Sequence, residues 1–234
     1  MALESPVSSR EARIDLGAAR RNIRALVSDD ADVAVDVTGD GYGHGALRIG
    51  RVALEEGARV AVRDVRERER LTAAGLDSDV GIADDRAREL ASRVYGLGWG
   101  DAVMRCTAQV LAYKTVAAGE GVSYGYTWRA PVDTTLAFVP LGYADGIHRG
   151  ASNVGRVWLE GRVRLIAGRV AMDAHMLDLG EPLESRPPAG TLRAVVFGEA
   201  GHGHASAHEW AESIGASPLE VTSRIGTRVQ RVWS

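Results

Sequence analysis

Three strand-plus-helix units follow one another between residues 33 and 94, and this order limits the fold more than any other feature. Short apolar runs predict buried strands at 33–37, 59–63 and 80–83. Helices are predicted at 46–56, 65–74 and 84–94, after a first helix at 16–27, and Gly57 and Gly75 close two of them. Strands that alternate with helices indicate a parallel α/β arrangement in this part of the chain.

A glycine-rich segment at 95–100 ends this order and is the predicted domain boundary. Beyond it the pattern is that of strands: Met104, Cys106, Ala108, Val110 and Ala112 alternate with more polar residues. Further strands are predicted on both sides of a hairpin turn at Glu160-Gly161, at 192–197 and at 229–233, with a loop at 181–190 and a helix from the Ser206 capping box to residue 214. We therefore expect an α/β plus β protein with domains at 1–97 and 98–234.

Three polar turns lie beside apolar runs in the second domain. They are Val122-Ser123-Tyr124-Gly125, Pro140-Leu141-Gly142-Tyr143-Ala144-Asp145-Gly146 and Gly168-Arg169-Val170-Ala171-Met172-Asp173. Loops on a rigid β scaffold commonly carry functional groups, so these turns are candidate site segments. Tyrosines that are buried and hydrogen-bonded locally are more common than catalytic ones, and this alternative stays open on the pattern alone.

A fourth turn, at 38–45, links the first predicted strand to its helix. Its sequence is Thr38-Gly39-Asp40-Gly41-Tyr42-Gly43-His44-Gly45. A glycine-rich turn followed by a helix N-terminus can hold an anion such as phosphate through backbone amides. Such turns also occur for purely steric reasons, so the glycine pattern alone is weak support for a phosphate site.

Composition limits the classes of partner. The net charge of -3 gives no electrostatic reason to expect nucleic acid or an anionic membrane. The N-terminus lacks the pattern of a signal peptide and no run is apolar enough to span a bilayer, so we expect a cytoplasmic protein. Cys106 is the single cysteine and Lys114 the single lysine. No metal site is expected: His202, His204 and His208 do not align on one helix face and are predicted to be solvent-exposed.

The turns, in this order, resemble the alanine racemases, which use pyridoxal phosphate to interconvert L- and D-alanine. The resemblance runs from about residue 103 to 233 and reappears at 10–16 and in Tyr42-Gly43-His44-Gly45. It implies a barrel-derived N-terminal part, a C-terminal β domain and a head-to-tail dimer. A closed eight-unit barrel needs about 250 residues. The barrel is therefore expected to be truncated, with unpaired strand edges that favour association.

The resemblance also assigns residues. Tyr124 matches the catalytic tyrosine that acts across the dimer interface, and Tyr42 matches a tyrosine that binds the cofactor phosphate. Tyr143 and Met172 match positions that line the substrate entrance, where Met172 offers its backbone amide to a carboxylate. Two positions depart from the family: Thr38 replaces the lysine that forms the Schiff base, and Thr227 replaces a second phosphate-binding tyrosine.

Threonine has no amine, so covalent attachment of pyridoxal phosphate is not expected here. Lys114 lies in the β region, where a solvated surface lysine is the favoured interpretation. We therefore expect a chain that is inactive alone, and phosphate affinity that is weakened but partly retained by backbone amides. Two alternatives remain: a non-catalytic partner whose Tyr124 completes a mixed dimer with a full-length racemase, or a decayed product that folds poorly. A pyridoxal-phosphate carrier of the same barrel type is disfavoured because such proteins lack the second domain.

Overall fold

A computed structural model describes residues 9–76 and 80–234. The segment 1–8, on which part of the signal-peptide argument rests, lies outside the described residues. The helices are α1 (Leu16–Asp29), α2 (Ala46–Glu55), α3 (Val65–Ala73), α4 (Asp85–Val94), α5 (Ala207–Ser213) and α6 (Pro218–Arg224). The strands are β1 (Arg10–Ile14), β2 (Ala34–Asp36), β3 (Arg59–Val62), β4 (Val80–Ile82), β5 (Met104–Gln109), β6 (Ala112–Val116), β7 (Gly121–Val122), β8 (Trp128–Arg129), β9 (Thr134–Val139), β10 (Arg156–Leu159), β11 (Arg162–Leu165), β12 (His175–Asp178), β13 (Arg193–Phe197) and β14 (Gln230–Trp233).

The first unit is a small parallel sheet in the order β2-β3-β4, with helices between the strands. Three of its helices begin at aspartates whose side chains accept an N–H of the first turn: Asp15 for α1, Asp64 for α3 and Asp84 for α4. Such caps satisfy N–H groups that have no partner within the helix. The predicted strands and helices of this unit are confirmed to within about two residues, the usual uncertainty of element ends.

The expected truncation is also found, since the described residues form no closed barrel. Instead of leaving the edge of β2 open, α4 lies against β2 and α1. Tyr95, directly after α4, donates its hydroxyl hydrogen bond to the Asp36 carbonyl oxygen over 2.8 Å. A helix that covers a strand edge reduces the exposed pairing groups, so only part of the expected open edge remains.

The second unit contains a six-stranded sheet in the order β11-β10-β13-β5-β1-β14. The strand β1 lies between β5, to which it is antiparallel, and the C-terminal β14, to which it is parallel. An N-terminal strand therefore belongs to the sheet of the second predicted domain. The division after residue 97 stays a prediction.

Two smaller sheets complete this unit, β12-β9-β6 and the pair β7-β8. The tight turn between β10 and β11 has positive φ at both central residues, 49° at Glu160 and 76° at Gly161. This is the geometry of the predicted hairpin turn.

A continuous hydrophobic core joins the two units. It includes Val35 and Ile49 from the first and Cys106, Phe197 and Trp210 from the second. A smaller core under β7-β8 contains Val116, Val122 and Leu136. Within the described ranges, no helix combines the length and the apolar character needed to cross a bilayer.

Candidate functional site

The turn at 38–45 contains a short left-handed helical segment. Gly39, Asp40 and Gly41 have φ values of 61°, 59° and 62°, and Tyr42 follows with 51°. Left-handed backbone is costly for residues with a Cβ, and alternate glycines reduce that cost. The segment directs the Tyr42 side chain back toward the end of β2.

The Tyr42 hydroxyl contacts a carboxylate at the end of β2. It donates to Asp36 Oδ2 over 2.7 Å, and Asp36 is only 1% exposed. Burial, and secondly this hydrogen bond, raise the pKa of Tyr42. The hydroxyl expected to bind phosphate is thus engaged by an acidic residue of the same chain.

His44 anchors the other end of the turn. Its ring is fully buried, stacks on Tyr95 with centroids 4.4 Å apart, and bonds through Nδ1 to the Gly41 carbonyl oxygen. Burial lowers the pKa of His44 to about 4. The His44 carbonyl in turn accepts the Trp233 indole N–H, which ties the turn to β14. His44 is therefore a neutral structural residue.

The segment around Tyr124 differs, because its aromatic groups face solvent. Tyr124 is 72% exposed in a short 3-10 turn, Tyr124–Tyr126. Ser123 before it has φ 62° and ψ -175°, a region that is essentially restricted to glycine. The Ser123 hydroxyl donates to the Arg169 carbonyl over 2.8 Å, which holds this conformation. Backbone strain of this kind clusters at functional sites.

Tyr143 and Met172 lie on two turns that are bonded to each other. The Tyr143 N–H donates to Ala171 and the Ala144 N–H to Met172, both over 3.0 Å. Both side chains are exposed, Tyr143 by 42% and Met172 by 53%. Because the Ser123 bond also reaches this third turn through Arg169, hydrogen bonds connect all three predicted turns of the second domain.

A charged network behind these turns escaped the sequence analysis. The buried Asp145 accepts the Gly142 N–H over 2.8 Å, and its other oxygen lies 3.2 Å from Arg228 Nε and 3.7 Å from Arg10 Nε. Arg228 also donates to Asp173 over 2.6 Å. The network fixes the Tyr143 and Met172 turns to each other and to the chain after α6. Its only sequence clue was the acidic residue in each turn.

The remaining candidates do not form a site. Lys114 pairs with Glu120 over 2.8 Å on the surface, as predicted. No metal-binding cluster occurs among the residues that the structure describes. The prediction of three exposed histidines is wrong for His204, which packs edge-on against Trp158 and is buried. Thr227 is exposed after α6, at the position expected to help hold phosphate.

Two family models cover this chain. Residues 103–233 match the alanine racemase C-terminal domain, and residues 14–115 match the alanine racemase N-terminal domain. The chain belongs to the alanine racemase family. The match to the alanine racemase of Streptomyces coelicolor is 46% identical over 131 residues, 56% of this chain and 32% of that protein. The alanine racemase of Salinispora arenicola is 47% identical over the same length, 34% of its own. The matched region is thus about a third of these relatives.

Solved structures agree on the architecture. The alanine racemase of D-cycloserine-producing Streptomyces lavendulae superposes with a TM-score of 0.86 at 25% identity, over 99% of this chain and 98% of its own. The Bartonella henselae alanine racemase, solved with covalently bound pyridoxal phosphate, superposes with a TM-score of 0.80 over 97% of this chain and 100% of its own. At 18% identity the second likeness concerns the fold alone.

The family cofactor can be tested against the residues present. A lysine-linked phosphate ester needs an amine at position 38 and hydrogen-bond donors at the turn, but Thr38 has no amine. Tyr42 donates to Asp36 instead, and the Gly39 N–H donates to the Glu67 carboxylate over 3.1 Å. The expectation that backbone amides of the turn are free to bind phosphate is wrong for Gly39, whose N–H already donates a hydrogen bond to a carboxylate. The residues of this turn do not fit pyridoxal phosphate.

Proposed function

We propose that this chain is a non-catalytic member of the alanine racemase family, inactive on alanine by itself. Its C-terminal domain contributes Tyr124 to the site of a second, full-length racemase subunit in a mixed dimer. The reaction of that dimer would be the family reaction, the interconversion of L- and D-alanine. The expected cytoplasmic location remains part of this proposal.

The absence of a suitable amine supports the proposal that the chain is inactive by itself. Threonine at position 38 cannot form a Schiff base. Lys114, the single lysine, is in β6 of the second unit and is held by Glu120.

The proposed role as a partner subunit rests on a contrast between the two halves of the candidate site. The turn at 38–45 is closed by its own contacts, whereas Tyr124 is solvent-exposed on a strained and well-anchored backbone. A large exposed aromatic group on an anchored backbone is suited to enter another subunit, because little backbone entropy is lost on docking. We assign Tyr124 the role of proton-transfer group in the partner's site.

Tyr143 and Met172 extend the same proposal. Their turns are fixed to each other by Asp145 and Arg228, and the Ser123 hydroxyl, next to Tyr124, donates to the Arg169 carbonyl of the Met172 turn. In the mixed dimer they would line the substrate entrance, with the Met172 backbone amide available to a carboxylate. A homodimer of this chain would then lack an anchoring amine in both of its sites.

The test is complementation. A full-length alanine racemase is made inactive by replacing the tyrosine of its own Ser-Tyr-Gly turn with phenylalanine, and is co-purified with the present chain. We expect D-alanine formation from L-alanine to be restored by the wild-type chain and lost with Tyr124→Phe. Tyr126→Phe is the matched control, because Tyr126 is exposed on the same turn and should leave restoration intact.

Two results would oppose the proposal. One is the absence of a co-purified complex, and the other is restoration that persists with Tyr124→Phe. The chain is also incubated alone with pyridoxal phosphate and alanine. Turnover in that arm would show that the chain is an active racemase.

A further inference from the structure

Most backbone amides between residues 38 and 46 donate to the chain's own acceptors. Three of the amides donate to carboxylates: Thr38 to Asp36 over 2.9 Å, Gly39 to Glu67 over 3.1 Å and Ala46 to Asp40 over 2.8 Å. Those of Gly41, Gly43, His44 and Gly45 donate to carbonyl groups at 37–41. Ala46 is the first residue of α2, so the Asp40 carboxylate occupies the helix terminus where an anion would bind.

The side-chain donor of the turn is used as well. Tyr42 donates to the buried Asp36 carboxylate, which therefore accepts from both a tyrosine hydroxyl and a backbone amide. These are the two kinds of donor that would otherwise hold a phosphate oxygen. A phosphate group would have to displace this carboxylate and remain beside its negative charge.

Arg231 interacts electrostatically with Asp40, but none of its hydrogen bonds goes to a carboxylate of the turn. Arg231 directs its guanidinium at backbone carbonyls of Gly43, Ile225, Gly226 and Val229. Arg63 and Arg70 lie 3.9 Å and 3.8 Å from Glu67 and balance that carboxylate. Neither Asp36 nor Asp40 has an arginine or lysine within ion-pair distance among the described residues.

Space is not the obstacle. A cavity of about 220 Å³ opens beside the turn and is lined by Val37, Asp40, Ala46, Val62, Glu67 and Arg70. It is large enough for a phosphate group but has two carboxylates in its wall. The electrostatic environment, rather than steric exclusion, therefore decides which ligands enter.

We infer that Asp36 and Asp40 act as a built-in anion that closes this turn to phosphate esters. The carboxylates occupy donors that a phosphate would need, and the turn serves as a structural joint between β2 and α2. This inference concerns phosphate binding by the first unit and does not depend on association through Tyr124. Failure of the complementation experiment would leave it untouched.

The experiment measures binding of pyridoxine 5′-phosphate, which has no aldehyde and cannot react with Lys114. Inorganic phosphate and pyridoxine serve as the two partial ligands. Binding is followed by equilibrium dialysis and by NMR shifts of the amides at Gly39, Gly43 and Gly45. The variants are Asp36→Asn, Asp40→Asn and the double variant, because asparagine keeps the oxygen that caps Thr38 and Ala46 while it removes the charge.

We expect the wild-type chain to show no saturable amide shift with either phosphate compound. The double variant should bind both at least about tenfold more tightly, because the repulsion is removed. Pyridoxine should not bind any variant. Asp133→Asn is the control for each single variant, since Asp133 caps the Ala118 N–H over 2.8 Å in an exposed loop and its substitution changes the net charge by the same amount as either single substitution.

Saturable shifts of the turn amides in the wild-type chain would overturn the inference. So would a double variant that is folded by circular dichroism and binds no better than wild type. If the double variant does not fold, the single variants are judged by the same criterion. An equal gain with Asp133→Asn would show that net charge, and not this turn, controls binding.

Discussion

Two fully buried histidines make the stability of this protein sensitive to acid. Burial lowers the pKa of both His44 and His175 to about 4 from the ordinary 6.5. Above pH 6.5 both are neutral in the folded and unfolded chain. Below it the unfolded chain takes up protons first, so stability is lost as the pH falls toward 4. The loss should approach about 1.4 kcal/mol per pH unit for each histidine.

Urea unfolding at a series of pH values between 7 and 4 measures this slope. His175→Gln should make it shallower, because glutamine does not titrate and can still donate to the Leu141 carbonyl that His175 Nδ1 contacts. A free energy of unfolding that stays constant between pH 7 and 4 would contradict the lowered pKa values of His44 and His175.

At single residues, sequence reasoning located the exposed groups better than the buried ones. The turns that carry Tyr124, Tyr143 and Met172 could be placed because polar turns beside apolar runs have a recognisable pattern, whereas these residues were singled out by the resemblance to the family. Asp36 could not, since a carboxylate within the apolar run at 33–37 gives no sign of its partner. Tyr42 reaches it only because the turn is left-handed, which requires positive φ at Asp40 and Tyr42. Propensity disfavours that conformation, and tertiary contacts impose it.

At the level of elements, the glycine-rich turn at 38–45 approaches α6 of the second unit closely at Gly43. Gly43 has φ 88°, and a Cβ at this position would lie 2.5 Å from the Thr222 carbonyl oxygen. Gly43→Ala should therefore lower the free energy of unfolding by roughly 2 kcal/mol or more, through backbone strain and the displacement of α6. Thermal unfolding gives the measurement.

Gly57→Ala separates the two causes. Gly57 has a similar φ of 81°, but a Cβ there would meet nothing within 4 Å. Its substitution reports the backbone strain alone, and the excess loss at Gly43 reports the contact with Thr222. Equal losses of unfolding free energy in the two variants would mean that α6 does not limit the space at Gly43.

Most helices could be predicted from local patterns in the sequence, whereas one short helix and the pairing of the strands could not. Helices α1, α3 and α4 begin at aspartate caps, and α5 begins at a complete capping box, so their positions followed from the chain. Helix α6 was missed although Pro218 stands at its first residue, because it is short. Strand partners were also out of reach: β1 pairs with β5 and β14 across most of the chain, and no local pattern specifies such pairing.

Over the whole molecule, the shared core implies that the two units unfold together. The strand β1 is hydrogen-bonded on both sides within the second unit, while the next residues form α1 of the first. Trp233 and Arg231 of β14 bond to carbonyl groups of the turn at 38–45. Loss of either unit would expose core residues of the other, so a partly unfolded state is costly.

Two probes can follow the units separately in one urea titration. All five tryptophans lie after residue 97, whereas α1 to α4 supply most of the helical signal. We expect tryptophan fluorescence and far-ultraviolet circular dichroism to give one coincident transition, which would exclude the poorly folding alternative. A helical signal lost at lower urea than the fluorescence change would instead show that the three-stranded unit is independent and only marginally stable. Because oligomers are stabilised by mass action, a midpoint that rises with protein concentration would add that the folded chain self-associates.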